Sequence, residues 1–326
     1  MSSSVPSLSI HRLIPRGEQK WLTCADANKQ EMIICGTDQG IIYQTHLSTL
    51  DQPLTSKCLL GLFESQLLKI ALPLVFYDQC LGHTRSITDL CYFDSDENYF
   101  LSCSADKDIR LWNSMQSHSI TIYRSHLSPI WCLAAHSKTD RFASGSMDQT
   151  VRLWTPERIN VLRTFIYPSA DINSVGFHPN GKYLAAGSAD GWIILWSLEQ
   201  AEPARIFKSN SSVEHIKFTS DGNHLISINS NEQSKTDSIS RWDIRSAKEQ
   251  PLIIDIPNQY CLMKPCQIED TQQFVTGFHQ SLLFFYTTDR QDEEKYRQAN
   301  LSDQSAVKRL IHLVSNQSNK LLVITQ

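Results

Sequence analysis

Hydrophobic and polar positions alternate along much of this chain in short runs, as in Ile109-Arg110-Leu111-Trp112 and Val151-Arg152-Leu153-Trp154. A period of two predicts half-buried β-strands. Each alternating run is preceded by a fixed series of segments. An apolar strand comes first (Leu90-Cys91-Tyr92-Phe93, Cys132-Leu133-Ala134-Ala135, Ser174-Val175-Gly176-Phe177), then a polar turn such as Asp94-Ser95-Asp96 or His178-Pro179-Asn180-Gly181. A small-residue strand and a tight turn carrying an aspartate come next. The segments Ser102–Trp112, Ser144–Trp154 and Ala186–Trp196 align without gaps, with Asp106, Asp148 and Asp190 spaced 42 residues apart, like the three tryptophans. A fourth copy closes on Trp242-Asp243 after a longer interval. The unit predicted is a four-stranded antiparallel sheet, whose two faces are buried only if copies stack, and radial closure covers the outer copies.

At that period the 326 residues hold seven units and not eight. The expectation is an all-β, seven-bladed β-propeller formed as a single domain by residues 1–326, degenerate in its first and last blades. Cys35-Gly36-Thr37-Asp38-Gln39-Gly40-Ile41-Ile42-Tyr43-Gln44 reads as the first copy, with Gln44 in the tryptophan position. The distance from there to Trp112 exceeds one period and places an insertion at about 46–77. Within it Leu60, Phe63, Leu67, Leu68 and Ala71 fall at helical spacing, which predicts a short amphipathic helix over 59–72. Phe274–Gly277 with Leu282–Tyr286 reads as a sixth blade, and Leu310–Val314 with Leu321–Thr325 starts a seventh.

Composition narrows the function classes. There are 30 Lys+Arg against 34 Asp+Glu, a formal net charge of −4, and no long run of like charge. Direct nucleic-acid binding is therefore not expected. The nine cysteines are odd in number and scattered, and the closest pair, Cys261 and Cys266, has no second pair or nearby histidine. They predict buried free thiols, no metal site and no cofactor. The N-terminus lacks the charged and apolar regions of a signal peptide, and the longest apolar stretch, Ile70–Tyr77, is broken by Pro73. A soluble intracellular protein without a membrane partner is expected. No phosphate loop, nucleophile elbow or dinucleotide fingerprint is present, so no small-molecule substrate is expected. Asp289–Arg297 mixes both signs and reads as a solvated loop.

His83, Ser102 and Asp106 suggest a hydrolase triad. The same set recurs as His126, Ser144 and Asp148, and a catalytic site is not copied once per structural unit, so no catalytic residue is assigned and no enzyme is expected. Gly82-His83 and Ser125-His126 open repeats that close on Trp112-Asn113 and Trp154-Thr155, while later copies close on Trp196-Ser197 and Trp242-Asp243. This pattern resembles the WD-repeat β-propellers. The resemblance implies two structural tetrads, His83, Ser102, Asp106, Trp112 and His126, Ser144, Asp148, Trp154, in which Asp accepts from His, His meets Ser and Ser meets the indole N–H. It also implies that a strand around Leu8–Ile14 completes the last blade. The third repeat has Pro168 and Ala186 in place of His and Ser, and the fourth has Ser209 for His and no aligned Asp. Trp192 aligns with Asp108 and Thr150, so it is either an interface anchor or packed on a neighbouring blade. Arg85, Lys107, Ser128, Gln149 and Trp192 are the candidate partner-binding side chains.

Within that family, Ser128-Pro129-Ile130-Trp131, Ala170–Asn173 through Phe177–Asn180, Ala186–Asp190 and the ending Ile311–Gln326 resemble the propeller of the fifth TBP-associated factor of TFIID and its SAGA-complex paralogue. Phe100–Ser104 and Phe142–Ser146 look nearer the latter. The resemblance implies a nuclear, non-catalytic scaffold that holds histone-fold TBP-associated factors and coactivator subunits. The family's helical N-terminal region has no counterpart here. The alternative is a substrate receptor of a cullin ubiquitin ligase, since Trp242-Asp243-Ile244-Arg245 resembles the adaptor-binding WD-x-Arg motif.

Overall fold

The computed structural model describes residues 7–12, 22–46 and 82–257, save 29, 31, 94–95, 97, 117, 137–138, 167–169, 232–235 and 247–250. Towards the C-terminus it describes 265–267, 273–278, 281–286, 296–300, 307–315 and 318–325. The chain opens on β1 (Ser7–Arg12), and β2 (Leu22–Ala27), β3 (Met32–Thr37) and β4 (Ile42–His46) form a three-stranded sheet. Four-stranded meanders come next. The first is β5 (Ile87–Tyr92), β6 (Tyr99–Ser104), β7 (Asp108–Asn113) and β8 (Ser119–Arg124); the second is β9 (Ile130–Ala135), β10 (Phe142–Ser146), β11 (Thr150–Thr155) and β12 (Arg158–Ile166). The third is β13 (Ile172–Phe177), β14 (Tyr183–Ser188), β15 (Trp192–Ser197) and β16 (Pro203–Lys208); the fourth is β17 (Ser212–Phe218), β18 (His224–Asn231), β19 (Thr236–Asp243) and β20 (Leu252–Pro257). A fifth is built from β21 (Cys266–Gln267), β22 (Gln273–Phe278), β23 (Ser281–Tyr286) and β24 (Tyr296–Asn300). Finally β25 (Val307–Ser315) and β26 (Ser318–Thr325) form a hairpin, and β1 lies parallel to β26 with Ser7 opposite Lys320 and Arg12 opposite Thr325.

The seven blades expected from the period are corrected to five among the described residues. Among the described residues the sheet β2–β4 and the sheet that joins the two ends of the chain, β1 with β25 and β26, have three strands each and are not complete blades. The repeat period measures the distance between turns and tryptophans, whereas completeness of a blade requires an outer strand after the third. In the blade β5–β8 that outer strand starts six residues after Asn113, at Ser119, but after β4 the next described strand is β5 at Ile87. The insertion predicted at about 46–77 intervenes. Its predicted helix over 59–72 lies outside the described residues, and no helix occurs among those described.

The first strands of successive sheets pack on one another, β2 on β5, β5 on β9, β9 on β13 and β13 on β17, and β25 packs on β2. They are therefore innermost. Each carries an extra residue just after its start, seen as a register shift between Leu22 and Cys24, Ile87 and Asp89, Ile172 and Ser174, and Val213 and His215. In β9 the shift falls between Gly145 and Ser146 of its partner, opposite Trp131. A bulge turns its residue out of the alternation, and three of these side chains tie one inner strand to the next. Thr23 Oγ1 donates to Ile87 O, Thr88 Oγ1 to Ile130 O, and Asn173 Nδ2 to Val213 O at 3.1 Å.

The apolar core lies between sheets. Cys132, Val151, Leu153 and Phe165 of one blade meet Ile172, Leu184, Ile194 and Trp196 of the next, and Leu101, Ile109 and Tyr123 likewise meet Leu133, Phe142 and Trp154. Full burial of each such side chain contributes ~1.5–3 kcal/mol, which explains why blades lacking part of the polar pattern still stack. The small-residue strand permits the close fit: a Cβ at Gly145 would lie 2.5 Å from Ile172 Cγ2.

Candidate functional site

At one end of the blade β5–β8, the loop before β5 meets the turn between β6 and β7. The turn is shaped by its own polar residues: Asp106 N–H donates to Ser104 Oγ at 3.0 Å, and Asp108 N–H to Asp106 Oδ1 at 3.0 Å. Its third residue, Lys107, has φ 76°, and the matching residues are Gln149 at 66°, Gly191 at 90° and Gly40 at 82°. The turn needs a left-handed residue there, which glycine takes without strain and Lys107 and Gln149 do not.

The turn holds Asp106 against His83. Indole N–H is donor only, so Trp112 Nε1 donates to Ser102 Oγ at 2.7 Å, and the Ser102 hydroxyl donates to His83 Nε2 at 2.6 Å. That leaves Nδ1 of His83 to carry the proton and donate to Asp106 at 2.9 Å, while Thr84 N–H donates to the same carboxylate at 2.9 Å. The blade β9–β12 repeats the chain of bonds. Trp154 Nε1 donates to Ser144 Oγ at 2.9 Å, Ser144 to His126 Nε2 at 2.7 Å, and His126 Nδ1 to Asp148 at 2.8 Å, with Leu127 N–H on the carboxylate at 3.0 Å.

Burial sets the electrostatics. Desolvation lowers the pKa of His83 and His126, outweighing the pull of Asp106 and Asp148 towards the charged form. The same burial works against ionisation of Asp106, but hydrogen bonds from His83, Thr84 and Asp108 overcome it and hold its pKa at about 2. Asp148 is lowered by the corresponding bonds from His126, Thr150 and Leu127 against the same burial. At neutral pH each network is thus neutral imidazole beside carboxylate, with every proton directed along one chain. Ser102 and Ser144 are 0% exposed and each oxygen already accepts an indole N–H. No substrate carbonyl can reach them, so the arrangement braces the turn.

The other two tryptophan repeats are held differently. In the blade β13–β16, Ala186 stands in the serine position, Pro168 lies outside the described residues, and Ser188 Oγ instead donates to Asp190 at 2.5 Å. In the blade β17–β20 the predicted stand-in Ser209 is buried, and its hydroxyl accepts from Ser211 N–H at 3.4 Å. Spacing in the sequence does not reveal Ser227, whose Oγ accepts from Trp242 Nε1 at 2.9 Å. Ser227 and Trp242 are 15 residues apart where Ser102 and Trp112 are 10, because the β18–β19 hairpin is longer.

The five candidate partner-binding residues share one end of three neighbouring blades. Arg85, Lys107 and Gln149 are exposed, and Ser128 and Trp192 are half-buried. Trp192 packs against the core between the blades β9–β12 and β13–β16, with Lys208 Nζ 4.3 Å from the centre of its ring. Of the cysteines, Cys24, Cys35, Cys103 and Cys132 are buried thiols outside any disulfide. Burial, with Cys24 adding to it, pushes the Cys35 thiol up to about 12, and burial raises Cys103 as well. Such thiols are inert at neutral pH. Among the described residues no group of three His, Cys, Asp or Glu is placed to hold a metal.

Residues 76–113, 117–155 and 159–197 match the family described as WD domain, G-beta repeat. The crystal structure of RRP9 WD40 repeats superposes with a TM-score of 0.73 at 14% identity, covering 92% of this chain and 86% of that one. The fold is a β-propeller, and three stretches of it match WD repeats. Two curated relatives match over short stretches. "Protein will decrease acetylation" of Drosophila melanogaster is 42% identical over 55 residues, 17% of this chain and 7% of that protein. An uncharacterized WD repeat-containing protein of Schizosaccharomyces pombe is 30% identical over 64 residues, 20% of this chain and 10% of its own length. WD40 propellers are typically non-catalytic scaffolds that bind other proteins.

Proposed function

We propose that this chain is a scaffold subunit of a nuclear transcription coactivator or initiation complex, SAGA-like or TFIID, that holds histone-fold subunits. The observation that carries the scaffold role is the bracing of exposed turns: Lys107 and Gln149 stand at the surface of turns whose aspartates are clamped by buried His83 and His126. A rigid blade end presents side chains at little entropic cost, which favours binding. The choice of complex rests on the resemblance of Ser128–Trp131, Ala170–Asn180, Ala186–Asp190 and Ile311–Gln326 to the TBP-associated propellers. The short match to a fly protein named for decreased acetylation points the same way.

Affinity purification of the tagged chain from nuclear extract, with mass spectrometry, tests the reading. Recovery of histone-fold factors with acetyltransferase subunits is expected. The second reading, a cullin ligase receptor, is favoured by one feature: Arg245 of the WD-x-Arg sequence is exposed and its N–H is fixed by Asp243 Oδ1 at 2.9 Å. Recovery of a ligase adaptor that is lost on Arg245→Ala would replace the coactivator assignment.

A further inference from the structure

Four large apolar side chains stand in solvent at one end of the blade β9–β12. They are Leu127 (75% exposed) before β9, Trp131 (37%) at its bulge, Met147 (46%) in the β10–β11 turn and Ile166 (77%) at the end of β12. The register gathers them. Ser146 pairs with Ile130, Thr150 pairs with Ile166, Met147 N–H donates to Pro129 O at 2.9 Å, and Leu127 N–H donates to Asp148 at 3.0 Å. The matching positions of the blade β5–β8 carry Thr84, Thr88, Ala105 and Arg124. Single exposed apolar residues need no explanation, but four on one blade end, where the neighbouring repeat has small or polar ones, mark an interaction surface.

Charge names the partner's chemistry. On the β5–β8 side of this patch Arg85, Lys107 and Arg124 are exposed. The carboxylates of the same blade ends are turned inward or already engaged: Asp106 and Asp148 bind His83 and His126, and Asp108 lies 3.3 Å from Arg124 and 3.8 Å from Arg110. We propose that this blade end docks an acidic-apolar peptide segment of a partner protein. Its hydrophobic side chains seat on Leu127, Trp131, Met147 and Ile166, and its carboxylates face Arg85 and Lys107. Arg85 and Lys107 flank the patch on its β5–β8 side, whereas Lys208 on the other side is engaged by Asp190 O and the Trp192 ring. One-sided charge suits a polypeptide of fixed direction, while a lipid surface would be met best by cations all round. The inference rests on the scaffold reading and gives it a partner chemistry.

The purified full chain is panned against a phage-displayed random dodecapeptide library, and selected peptides are measured by fluorescence anisotropy. Sequences that mix Asp or Glu with Leu, Ile, Met or Phe are expected. Their binding should weaken at least about tenfold with Leu127→Asp plus Met147→Asp, a loss on the scale of hot-spot residues. It should weaken more modestly with Lys107→Gln and with rising salt, and stay unchanged with Ile253→Asp, an exposed apolar residue on β20. Both replaced side chains in the double variant are exposed, and an unchanged thermal melt certifies its fold. Basic peptides, peptides indifferent to the double variant, no selected peptide at all, or retention of the chain on phosphatidylserine vesicles in place of peptides would overturn the proposal. A tagged double variant that recovers the same nuclear complex as wild type would sink this surface and leave the scaffold reading intact; a wild-type chain that recovers no complex would sink the scaffold reading itself.

Discussion

Ser102 is small, yet it terminates one buried hydrogen-bond donor and supplies another. Replacing it with alanine leaves the Trp112 indole N–H and His83 Nε2 without their partner in a site closed to water. Each stranded buried group costs ~1–3 kcal/mol, so Ser102→Ala is expected to lower unfolding free energy by ~2–4 kcal/mol. Ser227→Ala strands the Trp242 indole alone, since no histidine among the described residues bonds Ser227, and is expected to cost about half as much. Urea denaturation of the two variants checks the order; equal losses would mean that the histidine bond adds nothing. A second residue-scale contrast comes from the turns. Lys107→Gly removes a side chain from a backbone at φ 76° and is expected to stabilise by up to ~1 kcal/mol. Gly191→Ala should destabilise, because it adds a Cβ at φ 90° only 2.8 Å from Ser209 O. Thermal melts of both variants, moving in opposite directions, would show that one backbone geometry governs the turn in all these repeats.

At the scale of elements, β1 is the strand whose loss should be felt far from its own position. It pairs along six residues with β26, whose hairpin partner β25 packs on β2, so the two ends of the chain are joined through one three-stranded sheet. Deleting residues 7–12 exposes the free edge of β26, and unpaired edges invite association. A melting temperature lower by several degrees, with new oligomers in size-exclusion chromatography, is the expected outcome; an unchanged melt would show that β1 adds nothing to closure. The strands of the three aligned repeats are legible in the sequence through their fixed spacing, whereas a strand near the N-terminus and the order of bonds within the tetrads come only from the resemblance to WD-repeat propellers. The number of complete blades is not legible, since a period counts turns and tryptophans and is silent on the outer strand. Ser227 is hidden because a longer hairpin shifts it out of alignment. Trp131 sits in an apolar run that alternation alone would bury, and the bulge opposite Gly145 and Ser146 turns it outward. The exposure of Leu127 and Met147 comes from their place in turns whose neighbouring residues are clamped inside.

For the whole molecule, two tetrads in adjacent blades make stability depend on pH with a sign that separates two accounts of the histidines. If attraction to Asp106 and Asp148 dominated, His83 and His126 would hold their protons more tightly when folded, and acidification from pH 7 would stabilise the fold. Burial dominates instead and lowers both values below 6.5. The unfolded chain then binds protons first, and stability falls as pH drops through about 6.5. The geometry requires the same sign, since a protonated Nε2 removes the acceptor that the buried Ser102 and Ser144 hydroxyls use. A second loss sets in at lower pH. Asp106, with its pKa depressed from 3.8 to about 2 by its hydrogen bonds against the effect of burial, contributes stability above pH 4 that disappears as the carboxylate is protonated between pH 4 and 2. Asp148 acts in the same direction. Melting temperature measured from pH 8 to pH 3 should therefore be flat above pH 7, decline between pH 6.5 and 5, and decline again below pH 4. Replacing both histidines with asparagine should flatten the upper decline, at the cost of a lower plateau. A rise in melting temperature between pH 7 and 5.5 in the wild-type chain would mean that the imidazoles are charged in the fold, and with that the directed chain of protons from tryptophan to aspartate would have to be redrawn.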